Sequence, residues 1–166
     1  SMVSMEAGSF NSTRLLAMIK LLEDKSNQNA YFATEFMLSD GPSESPQNFN
    51  RINLMGKYNL RLANKDLLSL QVMHFQSKWN ASGQVPQRAI DSGIIGRFGA
   101  IDDTEGGQTS RTNILVKHVH CLSKTRFVKT KAYYSKYDFD LYSNFTFYLN
   151  DSINGDQIRQ KENRRI

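Results

Sequence analysis

Two histidines, His118 and His120, stand at i and i+2, and in an extended segment that spacing puts both imidazoles on one side. Paired imidazoles can ligate a metal, but no carboxylate or cysteine accompanies them at a recognised ligand spacing, so they are expected to be histidines without a chemical task. Asp102, Asp103 and Glu105 crowd one stretch with acid, yet the twelve-residue spacing of a calcium loop is absent. Ser82-Gly83 lacks the flanking pattern of a nucleophile elbow. Arg97-Phe98-Gly99 is no phosphate cradle, and Gly106-Gly107 is expected to be ordinary turn chemistry. Cys121 is the one cysteine, which excludes an internal disulfide and a CxxC metal knuckle. No catalytic residue, metal-ligand set or cofactor site is expected, and the chain is read as a non-enzyme.

The elements around these residues are extended. The chain has 166 residues, and that length suits a single domain over 1–166. Aromatic residues make up 11%, too many for a disordered chain. The net charge of +5 is spread along the sequence, so it gives no footprint for nucleic acid, and none is expected as a partner. No run of 18 apolar residues occurs, which excludes a membrane-spanning helix.

Period-two alternation is the dominant pattern. In Asn50 to Leu62, Ile52, Leu54, Tyr58 and Leu60 fall on one side, and Arg51, Asn53, Lys57 and Asn59 on the other. Phe139, Leu141, Phe145, Phe147 and Leu149 alternate with polar or tyrosine neighbours and read as strand. Ala30 to Leu38 is aromatic-rich, Leu67 to Trp79 alternates with a blurred polar side, and Thr109 to Cys121 is rich in strand formers. Thr125 to Leu149 has no convincing turn; it is one strand, or two joined at 135–138. Gln157 to Ile166 reads as the start of a further strand. Leu15, Met18, Ile19 and Leu22 have helical spacing, with Ser12 or Thr13 as a cap. Glu23 and Asp24 would sit at the negative end of such a helix, and the neighbouring strands favour a strand here as well. About seven strands are expected by this pattern.

The connections carry further information. Glu23 to Asn27, Ala63 to Asp66 and Leu122 to Lys124 are short; Asp40 to Phe49, Asn80 to Gly107 and Asn150 to Asp156 are long. Short and long alternate along the chain. A meander with brief turns at one end and long loops at the other is the pattern of outer-membrane β-barrels. Tyrosines and phenylalanines around 133–148 suit an interfacial girdle, and equally a soluble β core.

Several stretches resemble TonB-dependent outer-membrane receptors. They are Lys78-Trp79-Asn80-Ala81-Ser82-Gly83-Gln84-Val85-Pro86-Gln87-Arg88-Ala89-Ile90, then Arg97-Phe98-Gly99-Ala100-Ile101-Asp102, then Glu105-Gly106-Gly107-Gln108-Thr109-Ser110-Arg111. Ala132 to Phe145, Gly155-Asp156-Gln157-Ile158 and Gln160 to Arg164 continue the resemblance over nearly the whole chain. Members of that family carry a plug domain inside a barrel of about 22 strands. The resemblance implies an all-β antiparallel meander forming an incomplete, early segment of such a barrel, with the plug absent.

What the resemblance implies for function is the energised uptake of a scarce solute across a bacterial outer membrane. Lipid would be one partner, a small solute or glycan the substrate, and the TonB system would be reached only through the plug region. Arg88, Arg97, Asp102, Asp103 and Glu105, in the loop expected outside the cell, are the candidate ligand contacts. Two alternatives remain open at this point: a complete eight-stranded barrel with a structural or adhesion role, and a soluble all-β binding module.

Overall fold

The computed structural model describes residues 1–22 and 27–166. Its strands are β1 (Met2–Gly8), β2 (Ser12–Leu22), β3 (Gln28–Ser39), β4 (Phe49–Arg61), β5 (Leu67–Asn80), β6 (Gly106–Cys121), β7 (Phe127–Asn144) and β8 (Gln157–Arg165). A single short helix, α1 (Gln87–Asp91), lies between β5 and β6. The strands form one sheet in chain order, each antiparallel to the next, with β1 and β8 as its two edges. The fold is all-β, as expected, with eight strands where about seven were read.

The additional strand is β1, which pairs with β2 from Met2↔Met18 to Gly8↔Ser12. The helical spacing around Leu15 yields to the ladder. Leu15, Ala17 and Ile19 lie across from Phe36, Thr34 and Phe32, so their side chains meet apolar neighbours only when extended. Thr125 to Leu149 is neither two strands nor one full-length strand. β7 runs unbroken for 18 residues and stops at Asn144. There the Asn144 side-chain oxygen accepts the Phe147 N–H at 2.7 Å, and Phe147 and Tyr148 turn into left-handed conformations with φ of 52° and 62°. The apparent alternation through Leu149 therefore ends in a tight Asx-type turn.

The glycine pair also departs from expectation, since Gly106 and Gly107 open β6 rather than form a turn. Gly106 has φ 148°, and a Cβ there would meet the Trp79 carbonyl and come within 2.9 Å of the Asn80 Cα. A Cβ on Gly107 would lie 2.7 Å from the Asp140 carbonyl oxygen and 2.9 Å from the Trp79 ring. Bare backbone here lets the Trp79 indole lie against β6.

Register assigns every strand residue to one of two faces, because opposed residues share a side. One face carries Leu15, Ile19, Phe32, Phe36, Ile52, Leu54, Val72, Ile114, Val116 and Tyr134 as a continuous apolar band across β2 to β7. The other face carries Arg14, Glu35, Asn53, Phe75, Arg111 and Tyr137, and these residues from β2, β3, β4, β5, β6 and β7 line one open concavity of about 780 Å³. That second face is therefore concave. Toward the long connections, β6 and β7 outrun the apolar band, and their convex side turns polar through Thr112/Lys136, Ser110/Asp138 and Gln108/Asp140. β8 pairs only with this polar stretch, from Lys136↔Arg165 to Asn144↔Gln157.

Among the described residues, the only buried hydrophobic side chain is Ala89, while Leu54, Val72 and Val116 are 38%, 40% and 39% exposed. No second layer covers the sheet. The buried residues are polar: Asp66, Ser69, Ser77, Asp102, Glu105, Asp140 and Asn144.

Connection lengths sort as expected at most positions. Residues 62–66 and 122–126 join strands at one rim, and 40–48, 81–105 and 145–156 at the other. The exception is 9–11, a brief turn on the long-connection rim, in which Phe10 and Asn11 take φ of 58° and 53°. The expected turn over Glu23 to Asn27 lies, apart from Asn27, outside the described residues.

Gly106→Ala is expected to destabilise the folded chain by about 2 kcal/mol, the scale of a forced backbone conformation. Urea unfolding, followed by the fluorescence of Trp79, measures it directly.

Candidate functional site

The long connections are locked to one another around Asn144. Its side-chain nitrogen donates to Asp102 Oδ2 at 2.9 Å, and its backbone N–H donates to Glu105 Oε1. Asp102 Oδ1 also accepts the Thr104 backbone N–H at 3.0 Å and the Thr104 hydroxyl. Burial works against the charge on Asp102, but donors from Thr104, Asn144 and Tyr148 outweigh it and hold the carboxyl below its ordinary value. Glu105 differs. Burial pushes its carboxyl up, the one backbone donor from Asn144 opposes this, and the neighbouring Asp102 charge adds to it. Its second oxygen packs against Gly83 without a hydrogen-bond partner.

Of the five candidate ligand contacts, Asp102 and Glu105 are thus brought together as buried ties. Arg88, on α1, donates from Nη2 to the Phe147 and Thr146 carbonyls, which pins 81–105 to 145–156. Arg97 and Asp103 are exposed at the rim. The 40–48 connection joins the same assembly, since the Glu44 N–H donates to the Phe98 carbonyl at 2.9 Å. Asn144, Thr104 and Tyr148 went unread in the sequence; Asn144 is visible there only as one polar residue in an alternating run.

The concave face below this rim holds a paired network. Glu35 accepts Arg14 Nε at 2.7 Å and Asn53 Nδ2 at 2.6 Å and is ion-paired with Arg51 Nη2 at 3.2 Å, and Arg14 also reaches Glu6 at 3.0 Å. Nearby, the Arg111 guanidinium lies 4.6 Å from the Tyr137 ring centre, a cation–π contact. Charge and aromatic surface therefore face one open space, an arrangement suited to holding a polar solute by several weak contacts.

At the opposite rim, His118 and His120 have a task after all. Both approach Asp66, His118 Nε2 at 3.1 Å and His120 Nδ1 at 2.9 Å. The Cys121 N–H at 3.1 Å and Asn64 Nδ2 at 3.0 Å complete the shell. The donor from His120 is the leading cause that lowers the Asp66 carboxyl to about 2. This cluster ties the 62–66 turn to the end of β6. The signal was absent from local sequence, because Asp66 stands more than fifty residues from either histidine. No group of three or more His, Cys, Asp or Glu side chains able to hold a metal ion is found among the described residues.

Scans against protein-family models, curated proteins and solved structures find no match to this chain.

Asn144→Ala leaves the Phe147 N–H and the Asp102 carboxylate short of partners, and is expected to cost about 1–3 kcal/mol. The release shows as faster protease cleavage within 81–105, while strand signatures in circular dichroism persist. Asp66 gives a pH prediction of definite sign. A carboxyl lowered on folding stabilises fully above its ordinary value of 3.8, and that contribution is lost as the pH falls toward 2. Asp66→Asn should lower the urea midpoint at pH 7 and flatten its fall between pH 4 and 2.

Proposed function

We propose that this chain forms part of the wall and outer loops of a TonB-dependent outer-membrane receptor that takes up a scarce solute. One observation carries the reading: a single-layer meander with a continuous, half-exposed apolar band on its convex face and a mixed concave face, where Arg14, Glu35, Asn53 and Arg111 stand beside Met55, Met73 and Phe75. Water penalises that band and hydrocarbon does not, whereas the charged and amide side chains of the concave face are poorly suited to lipid. Strand length supports the same assignment. A tilted crossing needs about 9–11 residues, and β5, β6 and β7 have 14, 16 and 18, with the surplus lying where the convex face turns polar. Long connections then gather on the outside, where Arg97 and Asp103 are placed to meet solute.

The strand count of eight favours a second reading, a complete small barrel. Closure would require β1 to pair with β8, and these two are the free edges of the sheet. The receptor reading is preferred for this reason.

The lone cysteine makes the test clean. In a Cys121→Ser background, single cysteines at 54, 72 and 116 and at 53, 71 and 115 are labelled with an environment-sensitive dye. The chain is then folded into vesicles containing brominated lipid. The first set should be quenched and the second not. Equal quenching of both sets, or a chain that stays in solution without detergent, removes the membrane assignment. Val72→Arg should cost about 2–4 kcal/mol in bilayers, as a cation on the lipid face does, while Gln71→Arg on the concave face should cost far less.

A further inference from the structure

The concave face divides into two electrostatic halves. In the half near the long connections, Arg14 and Arg51 share Glu35, Arg14 also meets Glu6, and Arg111 lies against the Tyr137 ring. In the half near the short turns, register places Lys57, Arg61, Lys117, Lys129 and Lys131 on this same face, and among the described residues no Asp or Glu accompanies them there. None of these five takes part in an ion pair found among the described residues.

Three of the five occupy neighbouring register positions. Lys117 lies directly across from Lys131, and directly opposed residues have Cβ atoms only about 4.5–5.5 Å apart, where like charges repel. Lys129 is on the same side two residues from Lys131, with its ammonium 5.8 Å from the Phe127 ring centre. The floor beside them is uncharged and hydrogen-bonding. Ser69, opposite Lys117, donates to Asn59 Oδ1 at 2.7 Å, and Asn59 donates to Asn29 Oδ1 at 2.7 Å. Three lysines at neighbouring register positions, without acid and beside a neutral polar ladder, form an arrangement that an anion would stabilise.

We infer that Lys117, Lys129 and Lys131 form a binding site for a small, multiply charged anionic solute bearing phosphate or carboxylate groups. The compactness of the triad favours one small polyanion over an extended acidic polypeptide, which would need cations strung along its length. For its place on a solute's route the inference rests on the receptor reading; the binding itself does not.

The test uses the full chain folded in detergent, with tripolyphosphate and citrate as separate probes in calorimetric titrations. Wild type is expected to bind at least one of them, with affinity falling as salt rises. Lys117→Gln/Lys131→Gln should weaken that binding roughly tenfold or more, while Lys78→Gln on the opposite face leaves it unchanged. A fold-independent check runs beside it. Lys131→Gln should raise the urea midpoint without anion, since repulsion is relieved, and tripolyphosphate should raise the wild-type midpoint more than the variant's. Binding of polyglutamate alone, no binding of either small probe, or equal affinity in wild type and the double variant overturns the site. A chain that fails the brominated-lipid test yet binds the probes supports the site and sinks only the receptor reading.

Discussion

Register is the constraint on which everything else in this protein rests. A sheet without a second layer has no core to choose which side of a strand is inside; the ladder alone makes that choice. Pairing is continuous from β3 to β7, and the one register shift found among the described residues is at Lys20/Leu22, near the end of β2. A slip of one residue between β3 and β4 would bring Glu35, Arg51 and Asn53 in among Phe36, Ile52 and Leu54. The hydrogen bonds that Glu35 takes from Asn53 and Arg14 span β2, β3 and β4, and they hold in only one register. Polar contacts on the concave face thus specify the apolar band on the convex one.

Rigidity at the two rims has the same polar origin. Loops that fold over a sheet bury backbone groups, and those groups need partners. Asn144 meets this need at the long-connection rim, where one side chain satisfies a turn N–H and a carboxylate while its backbone serves another. Asp66 does so at the short rim with donors from the end of β6 and from its own turn. Trp79 adds shape to this. Its indole fits against Gly107, so the start of β6 and the end of β5 approach more closely than side chains would permit.

Much of this was legible in the sequence wherever one periodicity stood alone. Asn50 to Leu62 has apolar residues at alternate positions with Met55 the one exception, and the strand lies within one residue of that reading. Leu15 to Leu22 was ambiguous because both of its sides carry apolar residues; local spacing leans to a helix, and only the partners on β3 decide for a strand. β1 alternates too, but over 7 residues, too few for a pattern to rise above chance. Phe145 to Leu149 misled for a different reason: the alternation is real, yet a single Asn side chain captures the backbone and turns it. The candidate loop residues were legible as a charged group but not as a divided one, because burial of Asp102 and Glu105 depends on β7, some forty residues away.

Charge placement on the concave face is harder to account for by folding than any of these features. Opposed lysines at 117 and 131 repel in the folded sheet, whereas in the unfolded chain they are free to separate, so their placement costs stability. A sheet that needed only a polar inner side could use Ser, Thr or Asn there, as it does at Ser69, Asn59 and Asn29. Farther along the same face, Glu35 neutralises two arginines, so counter-charges are within the means of this fold. The unneutralised half is then a property of the surface in its own right. It sets up a positive potential on one side of a low-dielectric wall, where fields are focused and charge selects more strongly than shape. On the proposed reading, a solute entering past Arg97 and Asp103 meets paired charges first and unpaired cations afterwards, a gradient that draws anions toward the short-turn rim and holds cations back.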